Sequence, residues 1–181
     1  MPLRAPRPRP IPPAPPRIRP CLVPRFHSQE FGKSNWCWAA CVQMMLEIDQ
    51  FDLASKLFDT DCRAASTDSV CDVTLQDDQI TNLYESRAPV RPTYTPSQVI
   101  LDVIRQELAH TRPVQLGVGR GGSRRGHVVL VCGLDDPHSD NPEVTICDPA
   151  FVGRSSMKWS ALQRAYQAGV VWDATWTNLR R

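Results

Sequence analysis

The sequence predicts an α+β domain in which helices come first and strands follow. In the first half, apolar side chains recur at the i, i+3, i+4 and i+7 spacing of one helical face, at Cys41, Met44, Met45 and Ile48. In the second half, short apolar runs alternate with turn-rich loops, which is typical of strands. Two unlike halves favour a cleft between them as the place for a functional site.

The helical half is expected to hold one well-defined helix and several shorter ones. The first helix is predicted over residues 37–49, with Cys37 at its N-terminus. Short helical stretches are predicted around residues 54–58 and 76–84. A further helix is predicted to start at a capping motif, because a threonine cap is followed by proline and then by glutamine at Thr95, Pro96 and Gln98. Its expected buried face consists of Ile100, Val103, Ile104 and Leu108.

The second half is expected to form an antiparallel sheet. Strands are predicted over residues 114–118, 127–131, 143–147 and 170–177, with a short helix over residues 159–167 before the last of them. The loop of residues 120–125 runs directly into His127. It is interpreted either as a mobile basic flap that binds acidic residues of a substrate or as a solvated loop that only connects two strands.

Residues 1–25 differ in composition from the rest of the chain. Ten prolines fall within residues 1–24, so an extended or disordered tail or leader is expected there, with order beginning near Phe26 and a single domain over residues 26–181. The tail is interpreted as a linker, a ligand for a partner that binds proline-rich segments, a secretion signal or a pro-segment.

Charge and hydropathy exclude two classes of partner. Of the 21 basic residues, six are arginines within residues 1–25, where no acidic residue occurs, so the remainder carries 15 basic against 19 acidic residues, a net charge of −4. A domain that binds nucleic acid usually concentrates basic charge on its fold, so no nucleic-acid partner is expected. No apolar run reaches 18 residues, which predicts no membrane span.

The first 25 residues show no Sec-type signal, so a cytoplasmic protein or one exported by another route is expected.

The segment Ser34-Asn35-Trp36-Cys37-Trp38-Ala39-Ala40 places a cysteine at the start of an apolar helix. Unpaired backbone N–H groups and the positive end of the helix dipole favour a thiolate at that position. Cys37 is therefore a candidate nucleophile. The alternative is a cysteine packed among tryptophans in a core.

Two later segments strengthen the first interpretation. His127 begins a strongly apolar strand after a glycine-rich loop, and Asp148 ends the next apolar strand. Either residue alone is more often structural. The order of cysteine, histidine and aspartate on a helix and two strands fits a nucleophile, a base and an orienting group that meet in one cleft.

Together these segments resemble papain-like cysteine peptidases of bacteria, over roughly residues 29–176. The closest likeness is to the branch of secreted effector proteases, and more distantly to bacteriocin-leader peptidases. The resemblance also rests on Arg112-Pro113-Val114 at the start of a strand, Gly126 before His127 and Pro149 after Asp148. It implies a papain-like fold, a Cys37-His127-Asp148 triad, a protein or peptide substrate and no cofactor.

The sequence departs from the family pattern before the nucleophile. Family members carry an oxyanion-hole glutamine about six residues ahead of the cysteine, whereas Gln29 lies eight ahead of Cys37, as though two residues were inserted at Phe31 and Gly32. A bulged loop would absorb this difference. Gln29 is the candidate for the oxyanion hole, and a surface polar residue is the alternative.

The seven cysteines are interpreted as one special thiol and several small buried residues, with Cys41, Cys132 and Cys147 assigned to the core. Disulfides are the main alternative, with Cys62 and Cys71 as the favoured pair. No tight four-ligand spacing is visible, so no metal site is predicted.

The predicted function is cysteine peptidase activity, in a bacterial effector, a toxin or a processing protease. The same three side chains also serve deamidation, transglutamination and acyl transfer. A catalytically silent interaction module is a further alternative.

Overall fold

The computed structural model describes residues 21–23, 25–87, 91–120, 126–151 and 153–179, and residues 1–20 and 24 of the tail predicted over residues 1–25 lie outside them. Within these residues the α-helices are α1 (Cys37–Leu46), α2 (Gln50–Phe58), α3 (Asp68–Cys71), α4 (Asp77–Arg87), α5 (Leu101–Ala109) and α6 (Trp159–Arg164). The strands are β1 (Thr93–Thr95), β2 (Val114–Gly119), β3 (His127–Asp135), β4 (Glu143–Cys147), β5 (Arg154–Lys158) and β6 (Val171–Thr177). None of the helices in the described ranges is long and apolar enough to cross a bilayer.

The strands form one antiparallel sheet in the order β1-β6-β2-β3-β4-β5. Strand β3 therefore lies inside the sheet, with β2 on one side and β4 on the other. His127 at the start of β3 pairs with Val118 near the end of β2. The end of β4 pairs with the middle of β3, where Cys147 lies opposite Leu130. This register brings the start of β3 and the residue after β4 to the same region.

Helices cover both faces of the sheet. Along β3, Val128 and Leu130 pack with the core that contains α1, whereas Val129 and Val131 pack with the core that contains α5 and α6. A strand buried on both faces has no polar alternation, which accounts for the continuous apolar run after His127. The α+β fold with a helical half packed on an antiparallel sheet is confirmed.

The helices predicted over residues 37–49 and 159–167 end earlier, at Leu46 and Arg164, and the start of α5 was predicted wrongly. Helix α5 begins at Leu101, and Ile100, assigned to its buried face, is 68% exposed. The expected cap residue Thr95 instead ends strand β1 and pairs with Thr175 of β6. The Gln98 side chain donates hydrogen bonds to the carbonyl oxygens of Gln163 and Trp172, 2.9 and 3.1 Å away. Tertiary contacts thus hold this segment outside the helix that its capping motif favours.

Strands β1 and β5 were not predicted. Strand β5 is an edge strand whose side chains are mostly exposed, from Arg154 to Lys158. Its sequence lacks the apolar alternation by which strands are usually detected. Its pairing with β4 is therefore a consequence of the fold that the local pattern does not reveal.

Two disulfides correct the interpretation of the cysteines. Cys62 and Cys71 are bonded, which is the pairing that the sequence favoured. Cys132, assigned to the core as a free thiol, is bonded to Cys21, 111 residues earlier. The backbone N–H of Leu22 also donates to the carbonyl of Cys132, at 2.8 Å, and Val23 is 1% exposed. Residues from Cys21 onward therefore pack against the sheet, earlier in the chain than the predicted start of order near Phe26. The division of the chain at residue 25 stays a prediction.

The Arg112-Pro113-Val114 segment has a structural role at the start of β2. The Arg112 guanidinium donates two hydrogen bonds to the Glu107 carboxylate, at 2.8 and 2.7 Å. The same carboxylate accepts the backbone N–H of Asn178 at 2.7 Å. Burial alone would raise the pKa of Glu107, but these contacts lower it. The pair joins α5, β2 and the end of β6.

Candidate active site

Cys37 is the first residue of α1, and 5% of it is exposed. The preceding residue, Trp36, makes no side-chain cap, and the first turn contains no acidic side chain. Backbone N–H groups in the first turn of a helix have no intrahelical acceptor, and they carry the positive end of the dipole. The Cys37 sulfur therefore lies where negative charge is stabilised.

The two tryptophans beside Cys37 attach α1 to a neighbouring segment. The indole N–H of Trp36 donates to the carbonyl oxygen of Cys71 at 2.7 Å, and that of Trp38 donates to the carbonyl oxygen of Val73 at 3.1 Å. The Cys62–Cys71 disulfide fixes this segment in turn. Both tryptophans thus anchor the helix as well as filling the core.

Asp72 fixes the loop that enters α1. Its carboxylate accepts the backbone N–H groups of Ser34 and Asn35, the latter at 2.8 Å. The Asn35 side chain donates to the Asp72 carbonyl at 2.9 Å and accepts from the Thr74 hydroxyl at 3.1 Å. The approach to Cys37 is therefore held by several hydrogen bonds in addition to apolar packing.

His127 lies between Cys37 and Asp148. Its Nε2 atom is 2.6 Å from Oδ1 of Asp148. With Nε2 occupied, Nδ1 is the ring nitrogen left to face the Cys37 sulfur. Cys37 and His127 line the same cavity.

The surroundings of His127 favour its charged form. Burial by itself lowers the pKa of His127, but hydrogen bonds with Asp148 and Cys37, together with their negative charges, raise it to about 10. An imidazole that stays protonated at neutral pH matches a neighbouring thiolate. This is the charge state that a cysteine nucleophile needs.

Asp148 follows β4 and is 2% exposed. Its carboxylate accepts hydrogen bonds from His127, from the backbone N–H of Ala150 at 2.8 Å and from the Tyr166 hydroxyl. Burial alone would raise the pKa of Asp148, but these donors and the charge of His127 lower it. Asp148 is thus a buried carboxylate held in its ionised form.

Tyr166 was missed by the sequence analysis. It follows α6, 18 residues after Asp148, and 8% of it is exposed. Burial and the Asp148 contact raise the pKa of Tyr166, so its hydroxyl stays a donor. No motif surrounds this tyrosine, and only the fold brings it to the carboxylate.

The cavity beside Cys37 and His127 has a volume of about 680 Å³. Part of its wall is acidic, because Asp77, Asp78 and Asp173 line it. Burial and then the charge of Asp77 raise the pKa of Asp173. Asp77 accepts a hydrogen bond from the Tyr94 hydroxyl at 2.5 Å, and burial followed by that bond raises the pKa of Tyr94 to about 12. Among the residues that the structure describes, no basic side chain forms an ion pair with these three aspartates.

Gln29 lies ahead of α1, outside the residues that line this cavity, and its backbone N–H donates to the Pro149 carbonyl at 3.0 Å. That contact puts it beside the Asp148 segment. Between Gln29 and Cys37 the chain makes a turn, closed by a 3.1 Å hydrogen bond from Lys33 N–H to the Glu30 carbonyl. Phe31 is 98% exposed at its tip, and Gly32 has a φ of +81°, which glycine adopts without strain. Phe31 and Gly32 thus lie in an exposed turn, and the assignment of Gln29 to an oxyanion hole stays a prediction.

The remaining cysteines are not arranged as a free metal-binding set. The sulfur atoms of Cys21, Cys132 and Cys147 lie within 4.8 Å of one another, but two of them are bonded together. The Cys41 thiol lies one turn after Cys37 and contacts the Val128 carbonyl, 3.6 Å away. That contact joins α1 to β3.

A helix with a cysteine at its N-terminus, packed on an antiparallel sheet that presents a histidine and an aspartate, defines the papain-like cysteine peptidase class. The sequence model of the Peptidase_C39 like family matches residues 22–178, so the chain belongs to that family. No curated protein matches it. The family relationship supports cysteine peptidase activity in general, on a protein or peptide substrate.

Proposed function

We propose that the protein hydrolyses peptide bonds with Cys37 as nucleophile, His127 as general acid and base, and Asp148 as the group that orients the imidazole. The observation that carries this proposal is the position of His127, which is bonded to Asp148 through Nε2 and shares a cavity with Cys37. A nucleophile, a base and an orienting group in hydrogen-bond order are the signature of covalent catalysis by a side chain.

The reaction follows from these positions. The Cys37 thiolate attacks the substrate carbonyl carbon, and the carbonyl electrons move onto oxygen. His127 then donates its proton to the leaving amine as the C–N bond breaks, which leaves a thioester on Cys37. A water molecule, deprotonated by His127, attacks the thioester and releases the acid. Asp148 stabilises the imidazolium that is present before the amine is protonated and again after water is deprotonated.

The oxyanion needs donors beside Cys37. The backbone N–H of Cys37 is one, because the first turn of α1 leaves it without an intrahelical acceptor. We assign the second to the side-chain amide of Gln29. Within the described part of the chain this amide makes no hydrogen bond, so it is available to a substrate oxygen. Losing one such donor typically reduces the rate by about 10²–10³.

The acidic wall of the cleft favours a substrate with a cationic side chain near the scissile bond. Three carboxylates beside Cys37 and His127 attract a lysine or arginine and repel a glutamate. This is the opposite of the preference suggested by a basic flap over residues 120–125, of which residues 121–125 lie outside the described part of the chain.

Two disulfides favour a site of action outside the reducing cytosol. We therefore propose that the protein is an exported bacterial peptidase that acts as an effector, a toxin or a processing enzyme. Of the expected tail over residues 1–25, the part ahead of Cys21 is proposed to be an appended segment that a partner binds.

The experiment compares wild-type protein and the Cys37→Ala variant after incubation with a bacterial proteome and with a plant proteome. New protein N-termini that need Cys37 support hydrolysis of peptide bonds. Products heavier by about one dalton at glutamine, without cleavage, support deamidation by the same triad. No Cys37-dependent product of either kind supports a silent interaction module.

A further inference from the structure

Gln50 is a buried polar side chain that the triad does not use. It is the first residue of α2 and is 2% exposed. Burying an amide is unfavourable unless its hydrogen bonds are made, so such a residue usually holds something in place. Gln50 makes three hydrogen bonds through its side chain, to Ser28, Glu30 and Gln43.

Two of these bonds lie on either side of Gln29. The Gln50 Nε2 atom donates to the carbonyl oxygen of Ser28 at 2.9 Å, and its Oε1 atom accepts the backbone N–H of Glu30 at 3.0 Å. The N–H of Gln29 itself donates to the carbonyl of Pro149. The backbone is thus bonded at three consecutive residues, while the Gln29 side chain is left unbonded within the described residues.

The third bond reaches the nucleophile helix. Nε2 of Gln50 donates to Oε1 of Gln43 at 2.8 Å, and Gln43 lies on α1 between Cys37 and the end of that helix. One amide therefore joins the helix that carries the Cys37 N–H to the segment that carries the Gln29 amide. These are the two donors that the proposed oxyanion hole needs.

The turn at Phe31 makes such a connection necessary. The tip of this exposed turn cannot fix the distance between Gln29 and Cys37, because it makes no contacts of its own. Phe31 is 98% exposed, and no atom lies within 4 Å of a Cβ built on Gly32. On the Cys37 side, the loop is held through the bonds that Ser34 and Asn35 donate to Asp72. On the Gln29 side, Gln50 supplies the contacts from a helix whose buried residues pack in the core.

We propose that Gln50 is a positioning residue that sets the distance between the two oxyanion donors by clamping residues 28–30 to α1. This rests on the proposed function, since it assumes that Gln29 and the Cys37 N–H receive the oxyanion. Gln50 touches no substrate. It acts on the formation of the tetrahedral intermediate and leaves the reactivity of the sulfur unchanged.

The test compares two reactions of the Cys37 thiolate that need no identified substrate. With p-nitrophenyl acetate, the sulfur bonds the acetyl carbon through a tetrahedral oxyanion, and p-nitrophenolate leaves with the electron pair. With iodoacetamide, the sulfur displaces iodide at a saturated carbon, and no oxyanion forms. The measured quantity is the ratio of the acylation rate to the alkylation rate at Cys37, followed by mass spectrometry of its peptide.

We expect Gln29→Ala to lower this ratio by about 10²–10³. Gln50→Met should lower it by about tenfold or more, with alkylation within twofold of wild type. The Gln29→Ala, Gln50→Met double variant should be no worse than Gln29→Ala alone, because both changes remove the same donor. Gln50→Glu keeps an acceptor for the Glu30 N–H but loses both donated bonds, so it should give a ratio between those of wild type and Gln50→Met. It replaces Gln50→Met in the test if that variant does not fold.

Gln115→Met is the matched control. Gln115 is also a fully buried glutamine and accepts a hydrogen bond from the Tyr84 hydroxyl at 2.6 Å, but it lies on β2 and, among the described residues, its side chain makes no hydrogen bond to residues 28–30. This variant should be less stable than wild type with an unchanged ratio.

Three results overturn the role of Gln50: an unchanged ratio in its variants, parallel loss of acylation and alkylation, or multiplicative losses in the double variant. A wild-type Cys37 that acylates no faster than free N-acetylcysteine overturns the proposed function itself.

Discussion

Nε2 of His127 lies 2.6 Å from Oδ1 of Asp148, and the other carboxylate oxygen of Asp148 accepts the Tyr166 hydroxyl. The buried Asp148 carboxylate therefore holds the imidazole on its Nε2 side, and Tyr166 holds that carboxylate in place. This leaves one ring nitrogen for the sulfur. Burial lowers the pKa of His127, but its contacts with Asp148 and Cys37 raise it to about 10.

The pH dependence of catalysis should reflect that shift. His127 is protonated below its folded pKa, so the general acid is present at neutral pH and is lost as the pH rises through about 10. We expect kcat/KM to hold from neutral pH to about pH 9 and to fall at higher pH. The check is a pH profile of kcat/KM on a cleaved peptide. In Asp148→Asn the alkaline limb should move to lower pH, and a limb that stays in place would contradict the role of Asp148.

Tyr166→Phe should destabilise the fold and weaken the orientation of His127. The change removes a hydrogen bond to a buried carboxylate, and bonds to charged groups contribute about 1.5–3 kcal/mol. Because the pKa of Asp148 is lowered in the fold, its ionisation stabilises the protein above its ordinary pKa, and that stabilisation is lost as the pH falls through the lowered value. Losing the tyrosine raises that lowered value.

Urea unfolding of wild type and Tyr166→Phe, repeated from pH 7 down to the lowest pH at which both proteins stay folded, measures this effect. We expect the difference in unfolding free energy to be largest at pH 7 and to shrink as the pH falls through the lowered pKa of Asp148. The same loss of stability in an Asp148→Asn background as in wild type would mean that Tyr166 contributes packing alone.

The acidic wall should set substrate preference. Asp173→Asn removes one of the three charges in the cleft, and a solvent-screened ion pair contributes up to about 1 kcal/mol, or several-fold in rate. We expect kcat/KM for a peptide with arginine near the scissile bond to fall several-fold, while that of its glutamate counterpart stays the same or rises. The preference should also weaken as salt is added.

Asp140→Asn is the control, because Asp140 is an exposed aspartate outside the cleft. Equal effects of the two variants on the arginine peptide would show that only net charge matters.

The Cys62–Cys71 disulfide should support the nucleophile helix. It closes a loop with a sequence separation of 9, for which the chain-entropy account gives about 2–3 kcal/mol. Cys71 also accepts the Trp36 indole through its carbonyl. We expect the double change Cys62→Ala, Cys71→Ala to lower the unfolding free energy by that amount and to slow alkylation of Cys37. Unchanged alkylation in a destabilised protein would limit the disulfide to a structural role.

Much of the fold could be predicted because strong local patterns agree with it. The apolar run after His127 and the apolar face of α1 are buried over long stretches, so the hydropathy pattern of the sequence indicates both elements. Thr95 shows where this fails: its capping motif favours a helix, but pairing with β6 places it in a strand.

The candidate site was predictable only in part, for a similar reason. Cys37, His127 and Asp148 each end or begin a patterned element, so their chain order indicated a shared cleft. Tyr166 and Gln50 carry no local signal, because their importance comes from a neighbour 18 residues away in one case and from three separate contacts in the other. The bond between Cys21 and Cys132 spans 111 residues, and spacing alone cannot reveal it.

The most direct measurement titrates the protein with iodoacetamide and follows both the label on Cys37 and the remaining cleavage of a peptide substrate. Cys41 and Cys147 have no exposed surface, whereas Cys37 is 5% exposed and lines the cavity, so labelling should be confined to Cys37 in the folded protein. We expect activity to fall in proportion to the label and to vanish at one equivalent. Full cleavage by protein labelled at Cys37 would contradict the account.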